Sequence, residues 1–173
     1  ERHGMPVLIT PLYTFCMNQP WTRSPYNRAN GGPCATPRDF LTDPTARRLQ
    51  KQRIAMMIDR WGNSPAIFAI DLLNEFDIWW DAPPRERVAW VRDMAAFTRD
   101  YELKKWGHAH MLTVSSAIAE PSGSIGDMVF NYPLFDFANT HLYYRGTVNA
   151  PNNTIDPALD MAKGVRYALS QIR

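Results

Sequence analysis

Ala66-Ile67-Phe68-Ala69-Ile70-Asp71-Leu72-Leu73-Asn74-Glu75 is the stretch whose reading decides the fold. A short apolar run, rich in Ile, Leu and Phe, ends abruptly in an amide and a carboxylate. Gly62 and Pro65 precede it. The pattern predicts a strand buried on both faces, as in a parallel sheet. Parallel α/β proteins carry their chemistry at the carboxyl ends of the strands. Asn74 and Glu75 lie at that end, and the apolar floor beneath Glu75 makes it a candidate general acid or base.

Outward from this strand the chain alternates. Pro6 to Thr14 (PVLITPLYT) predicts a first strand, which Pro11 ends or bulges. Phe15 to Leu41 is polar and aperiodic, a long loop with Trp21, Tyr26 and Asn30 as candidate walls of a cleft. Thr42-Asp43-Pro44 opens a helix. Its apolar stripe is Leu49, Ile54, Met57, Ile58 and Trp61, and Gly62 stops it. A loop from Phe76 to Pro84 leads to a second helix, Pro84 to Trp106, that buries Val88, Val91, Met94, Ala95 and Thr98. His110 to Ser116 (HMLTVSS) is a third strand and Asp136 to Tyr144 (DFANTHLYY) a fourth, with a loop and short helix between them. Asp156-Pro157 starts a last helix with Ala162, Val165, Leu169 and Ile172 on one face.

Strands alternating with helices imply parallel pairing through right-handed crossovers. Four such units form either an open sheet or half of an eight-stranded barrel. No glycine-rich phosphate loop follows a strand, so a nucleotide-binding open sheet lacks support. The whole chain, residues 1–173, reads as one domain.

Composition excludes several classes. The 173 residues are 45% hydrophobic and 21% charged, as in globular proteins. The net charge of +2, from 19 basic and 17 acidic residues, comes without a basic stripe, so nucleic acid is not an expected partner. The apolar stretches fall far short of the roughly 20 residues of a membrane span, so no membrane is expected either. Nor is a cofactor or a metal. Six Trp, seven Tyr and eight Phe supply a core and leave a surplus that suits the apolar faces of sugars. Cys16 and Cys34 share the long loop, either as a disulfide worth roughly 3 kcal/mol or as two thiols. Asn152-Asn153-Thr154 is a glycosylation sequon of a kind common by chance.

Two stretches carry a family resemblance. Arg60-Trp61-Gly62-Asn63-Ser64-Pro65-Ala66-Ile67-Phe68, leading into Leu72-Leu73-Asn74-Glu75, and Phe137-Ala138-Asn139-Thr140-His141-Leu142-Tyr143 together resemble the (β/α)8-barrel glycosidases of glycoside hydrolase clan A. The nearest likeness is to the cellulase and mannanase relatives of family 5. The resemblance implies a partial TIM barrel, units three to six of eight. It implies that Glu75 is the general acid/base at the end of the fourth strand and that Asn74 binds the sugar 2-hydroxyl. His141 and Tyr143 would end the sixth strand and orient the carboxyls and the sugar. Two residues apart on a strand, they share a face. The implied activity is retaining hydrolysis of a β-linked oligo- or polysaccharide, with two carboxyls about 5–5.5 Å apart. The family's nucleophilic Glu sits on the seventh strand, which is expected outside this chain. Tyr13-Thr14-Phe15 stand where many relatives carry a His, so that role has no assigned residue. Secretion is implied by the family alone; Glu1-Arg2-His3-Gly4 shows no secretory signal.

Other readings stand beside this one. Asn-Glu after an apolar run also opens helices. Trp79 and Trp80 either stack on sugar or cover the barrel rim. Asp71, in period-two register with Glu75, reads as a paired carboxylate deeper in the sheet. Glu120 reads as a solvated loop residue, and His108 with His110 lies at the wrong end of a strand for a site. The chain is alternatively a non-catalytic carbohydrate-binding half-barrel, or a half-barrel that assembles with another chain or with itself.

Overall fold

The computed structural model describes residues 3–13, 20–78, 81–118, 125–141 and 157–171. Cys16, Trp79, Trp80, Glu120, Tyr143, Ile172 and the sequon at 152–154 lie outside these residues. The elements are β1 (Val7–Ile9), α1 (Asp39–Thr42), α2 (Pro44–Trp61), β2 (Ile67–Asp71), α3 (Pro84–Trp106), β3 (Met111–Thr113), β4 (Ser115–Ser116), α4 (Ile125–Phe130), β5 (Asn139–Thr140) and α5 (Pro157–Ser170). The protein is α/β with parallel strands. β1, β2 and β3 pair in that order, and β4 pairs with β5. Val114 alone separates β3 from β4, so one stretch of chain serves both sheets. The described strands close no barrel.

The helices form where local chemistry starts and stops them. The Asp43 carboxylate accepts the Ala46 N–H at 2.9 Å and Pro44 occupies the first turn of α2, an N-cap that satisfies an otherwise orphaned donor. Gly62 ends the helix, its N–H donating to the Ile58 carbonyl at 2.8 Å. The buried face is Ala46, Gln50, Ile54 and Ile58, a strict i+4 row. That corrects the expected stripe, because Leu49 and Trp61 are exposed. The Arg60 guanidinium covers the Trp61 ring at 5.3 Å instead. Along α3 the expected residues Val88, Val91, Met94, Ala95 and Thr98 are all buried, joined by Trp90 and Glu102. Gly107, at φ 75°, ends α3 in the left-handed region.

Further sequence expectations change. Phe68 in β2 is 47% exposed, so only Ala69, Ile70 and Asp71 are buried. The register also slips here: Val7 faces Ile67 but Leu8 faces Ala69, and the Phe68 ring lies 6.1 Å from that of Phe137. The last helix turns a different flank inward. Gly164 and Tyr167 are buried, Tyr167 donating to Asp127 at 3.0 Å, while Val165 and Leu169 are exposed. The segment before α1 is more ordered and more buried than a cleft wall. Tyr26 packs edge-on to Phe40 at 4.8 Å, and Asn30 donates to the carbonyls of Thr22 and Ser24 at 2.8 and 2.9 Å. Cys34 is a fully buried free thiol, its pKa pushed up to about 12 mainly by burial, with Asp43 and Asp39 adding to it.

Between the helices lies one fully buried polar bridge. Gln50 Nε2 donates to the Phe40 carbonyl at 2.7 Å, and its Oε1 accepts the Trp90 indole N–H at 2.6 Å. This single amide joins α1, α2 and α3, and both its partners are sealed from water. Gln50→Leu keeps the volume and strands both partners, at about 1–3 kcal/mol for each unpaired group. Urea unfolding should therefore show a loss of about 2 kcal/mol or more for Gln50→Leu, with part recovered in the Gln50→Leu, Trp90→Phe double variant. A loss confined to a few tenths would mean that the bridge contributes little.

Candidate active site

The β2 ladder ends at Asp71, short of the expected strand end at Glu75. Leu72 still donates to the Thr113 carbonyl at 3.0 Å, and Asn74 is joined to Tyr13 by an isolated parallel bridge, its N–H donating to the Leu12 carbonyl at 3.1 Å. Pro11 explains the gap in the first strand: β1 stops at Ile9 and pairing resumes only at Tyr13. Asn74 and Glu75 therefore sit just past the carboxyl edge, where the chain turns into a short 3-10 turn at Phe76–Ile78.

Glu75 has φ 55°, and among the described residues it is the non-glycine with a positive φ. Left-handed backbone costs an L-residue about 1–2 kcal/mol, so something must hold it there. Its N–H donates to Ser115 Oγ at 2.9 Å and its carbonyl accepts the Ile78 N–H at 3.2 Å. The residue is 8% exposed. Its Oε1 lies 2.7 Å from His141 Nδ1, so one proton is held between carboxyl and imidazole. The imidazole is placed by its own backbone, the His141 N–H donating to the Ser116 carbonyl at 2.8 Å. Residues 66 apart in sequence are thus brought into contact. Tyr13, for which the sequence offered no role, stands at the same edge beside Asn74 with 42% of its surface exposed.

Asp71 lies deeper, as its register with Glu75 suggests, and is 2% exposed. Its Oδ1 accepts the Ser115 N–H at 2.9 Å and its Oδ2 faces Asn139 Nδ2 at 3.5 Å. Burial raises its pKa, and the hydrogen bonds from Ser115 partly offset that. Asp77, Ser115 and Ser116 were not singled out from the sequence. For the serines a signal was present: two small polar residues close the stretch Met111–Val114, the mark of a strand's carboxyl end. Glu102 and His110 form a second carboxyl–imidazole contact at 2.7 Å, at the start of β3 and so at the opposite end of the sheet. The groove between α2 and α3, lined by Arg47, Lys51, Asp93, Phe97 and Tyr101, shares no residue with the Glu75 site. Arg47 and Lys51 there are already paired with Asp93. Among the described residues no three His, Cys, Asp or Glu side chains are grouped to hold a metal ion, and no helix is long and apolar enough to cross a membrane. No family model and no curated protein matches this chain.

The strained backbone predicts an order of stabilities. Glu75→Gly should be more stable than Glu75→Ala by about 1 kcal/mol, because only glycine occupies a left-handed conformation freely. Equal denaturation midpoints would show that the turn carries no strain.

Asp71 predicts a pH dependence. An acid whose folded pKa is raised binds its proton more tightly folded than unfolded. Its stabilising contribution is full below the usual value of 3.8 and is lost as pH rises through the folded value. Asp71→Asn keeps an oxygen for the Ser115 N–H. It should flatten the decline in unfolding free energy between acid and neutral pH. A slope identical to wild type would remove Asp71 as its source.

Proposed function

We propose that this chain carries the acid/base side of a retaining glycosidase site acting on a β-linked glycan, within a (β/α)8 barrel of the cellulase and mannanase type. The observation that carries the reading is the Glu75–His141 contact of 2.7 Å at the carboxyl edge of a parallel sheet. The strand order supports it further. Sequential neighbours pair in parallel, β1 to β2 to β3 and then β4 to β5, which is the order of a barrel arc and not of a sheet that reverses at a switch point.

The chemistry follows from the geometry. Cleaving a glycosidic bond needs a proton on the departing oxygen and support for an oxocarbenium-like centre. Glu75, nine-tenths buried yet open at one edge, gives that proton and later takes one from water. His141 holds the carboxyl in one orientation. Asn74 meets the sugar 2-hydroxyl, and the exposed Tyr13 ring offers a flat face to the glycan. Tyr143, Trp79 and Trp80 enter on the family resemblance alone, as sugar contacts. On the same resemblance, the nucleophile is the Glu that ends the family's seventh strand. An extracytoplasmic location belongs to the same resemblance.

A second reading is a half-barrel completed by a complementary fragment or a second copy. It is favoured by the apolar residues exposed on the strands, Leu8 at 39%, Phe68 at 47% and Met111 at 38%. Sugar binding without hydrolysis would support the non-catalytic form of it.

The deciding experiment is Glu75→Gln in the complete enzyme. Hydrolysis of a phenyl glycoside, whose poor leaving group needs the acid, should fall roughly 100- to 10,000-fold. A dinitrophenyl glycoside should be cleaved far less impaired in its first step. Undiminished cleavage of the phenyl substrate would end the assignment.

A further inference from the structure

Two residues past Glu75 lies a carboxylate with an unusual load. Asp77 is 7% exposed. Its Oδ2 accepts the Ser116 hydroxyl at 2.6 Å and the Ile118 N–H at 3.2 Å, and its Oδ1 accepts the Ala117 N–H at 2.7 Å. Its own carbonyl accepts Arg87 Nη1, which ties the turn to α3. Three donors from consecutive residues, at the end of β4, converge on this one carboxyl group.

Those same residues place the imidazole. Ser116 pairs with Thr140 in β5, and the Ser116 carbonyl accepts the N–H of His141, whose ring meets Glu75. The contacts therefore close a ring: Glu75 through the turn to Asp77, Asp77 to Ser116, Ser116 to His141, and His141 back to Glu75. A carboxylate is the group this geometry requires, because it offers two acceptor oxygens and no donor. An amide would turn its NH2 against one of the converging N–H groups.

We infer that Asp77 is the positioning residue of the Glu75–His141 pair, setting the imidazole's place through the end of β4. It touches neither ring nor substrate. Its action is to fix where β4 ends relative to the turn carrying Glu75, and hence the line along which Glu75 meets His141. The effect on turnover rests on the glycosidase reading; the effect on His141 does not.

The test is Asp77→Asn in the complete enzyme, with two readouts. The first is kcat and KM on phenyl and dinitrophenyl glycosides. A displaced acid should lower kcat on the phenyl substrate roughly 10- to 100-fold, with KM little changed and the activated substrate largely spared. The second is the 15N resonance of His141 Nδ1 at fixed pH, which should move, since it reports the proton shared with Glu75. Ser116→Ala removes one of the three donors, keeps the carboxylate, and should reproduce both effects in smaller measure. It decides the matter if Asp77→Asn fails to fold. An unmoved His141 resonance together with an unchanged leaving-group pattern, in a folded variant, overturns the positioning role even if Glu75→Gln is inactive. Conversely, a moved resonance with full phenyl-glycoside activity in Glu75→Gln would uphold the ring and discard the glycosidase reading.

Discussion

The bond from the Ser115 N–H to the Asp71 carboxylate, 2.9 Å long and buried, is the constraint on which the site depends. Up to Thr113 the third strand pairs with β2 through main-chain ladders. Beyond it β2 departs, and Ser115 would lose its acceptor. The Asp71 side chain supplies one, so the strand continues without an orphaned buried donor. Freed from β2, its last two residues pair with β5. Asn139, facing the other Asp71 oxygen, ties that partner in as well. One carboxyl group thus joins β2, β4 and β5, and its raised pKa is the electrostatic cost of standing in a dry position.

What β2 gains by departing is the left-handed turn at Glu75. A straight continuation would leave residue 75 in the ladder, its side chain committed to one face. The turn lifts the carboxyl out of the sheet and aims it at His141, with Ser115 Oγ capping the N–H released from pairing. Strain is concentrated at Glu75, while Asp77 and the serines of β4 hold the turn in place. On the helix side the polar side chain of Gln50, between Phe40 and Trp90, is fully satisfied.

The sequence misleads where packing, and not periodicity, chooses the face. In α5 both flanks carry apolar side chains, and Tyr167, not Val165 or Leu169, finds a place in the core. In α2 the polar Gln50 belongs to the buried row because its amide has two partners from other elements, which no hydropathy pattern foretells. Tyr26 and Cys34 lie in a segment of loop-like composition yet are buried, because the turns there are closed by local hydrogen bonds such as Cys34 N–H to the Tyr26 carbonyl at 2.9 Å.

The amino-acid sequence by itself determined the alternation of strands and helices, the caps at Asp43 and Gly107, the buried face of α3, and the apolar run that delivers Asn74 and Glu75 to a strand's carboxyl end. All of these are local, set by spacing, capping and backbone preference over a few residues. Only the tertiary structure decided that Glu75 turns left-handed, that its carboxyl meets an imidazole 66 residues away, and that Asp71 and Asp77 hold the strands on either side. Those depend on which backbone donors lose their partners when strands diverge, a property of neighbours in space that no stretch of the chain contains alone.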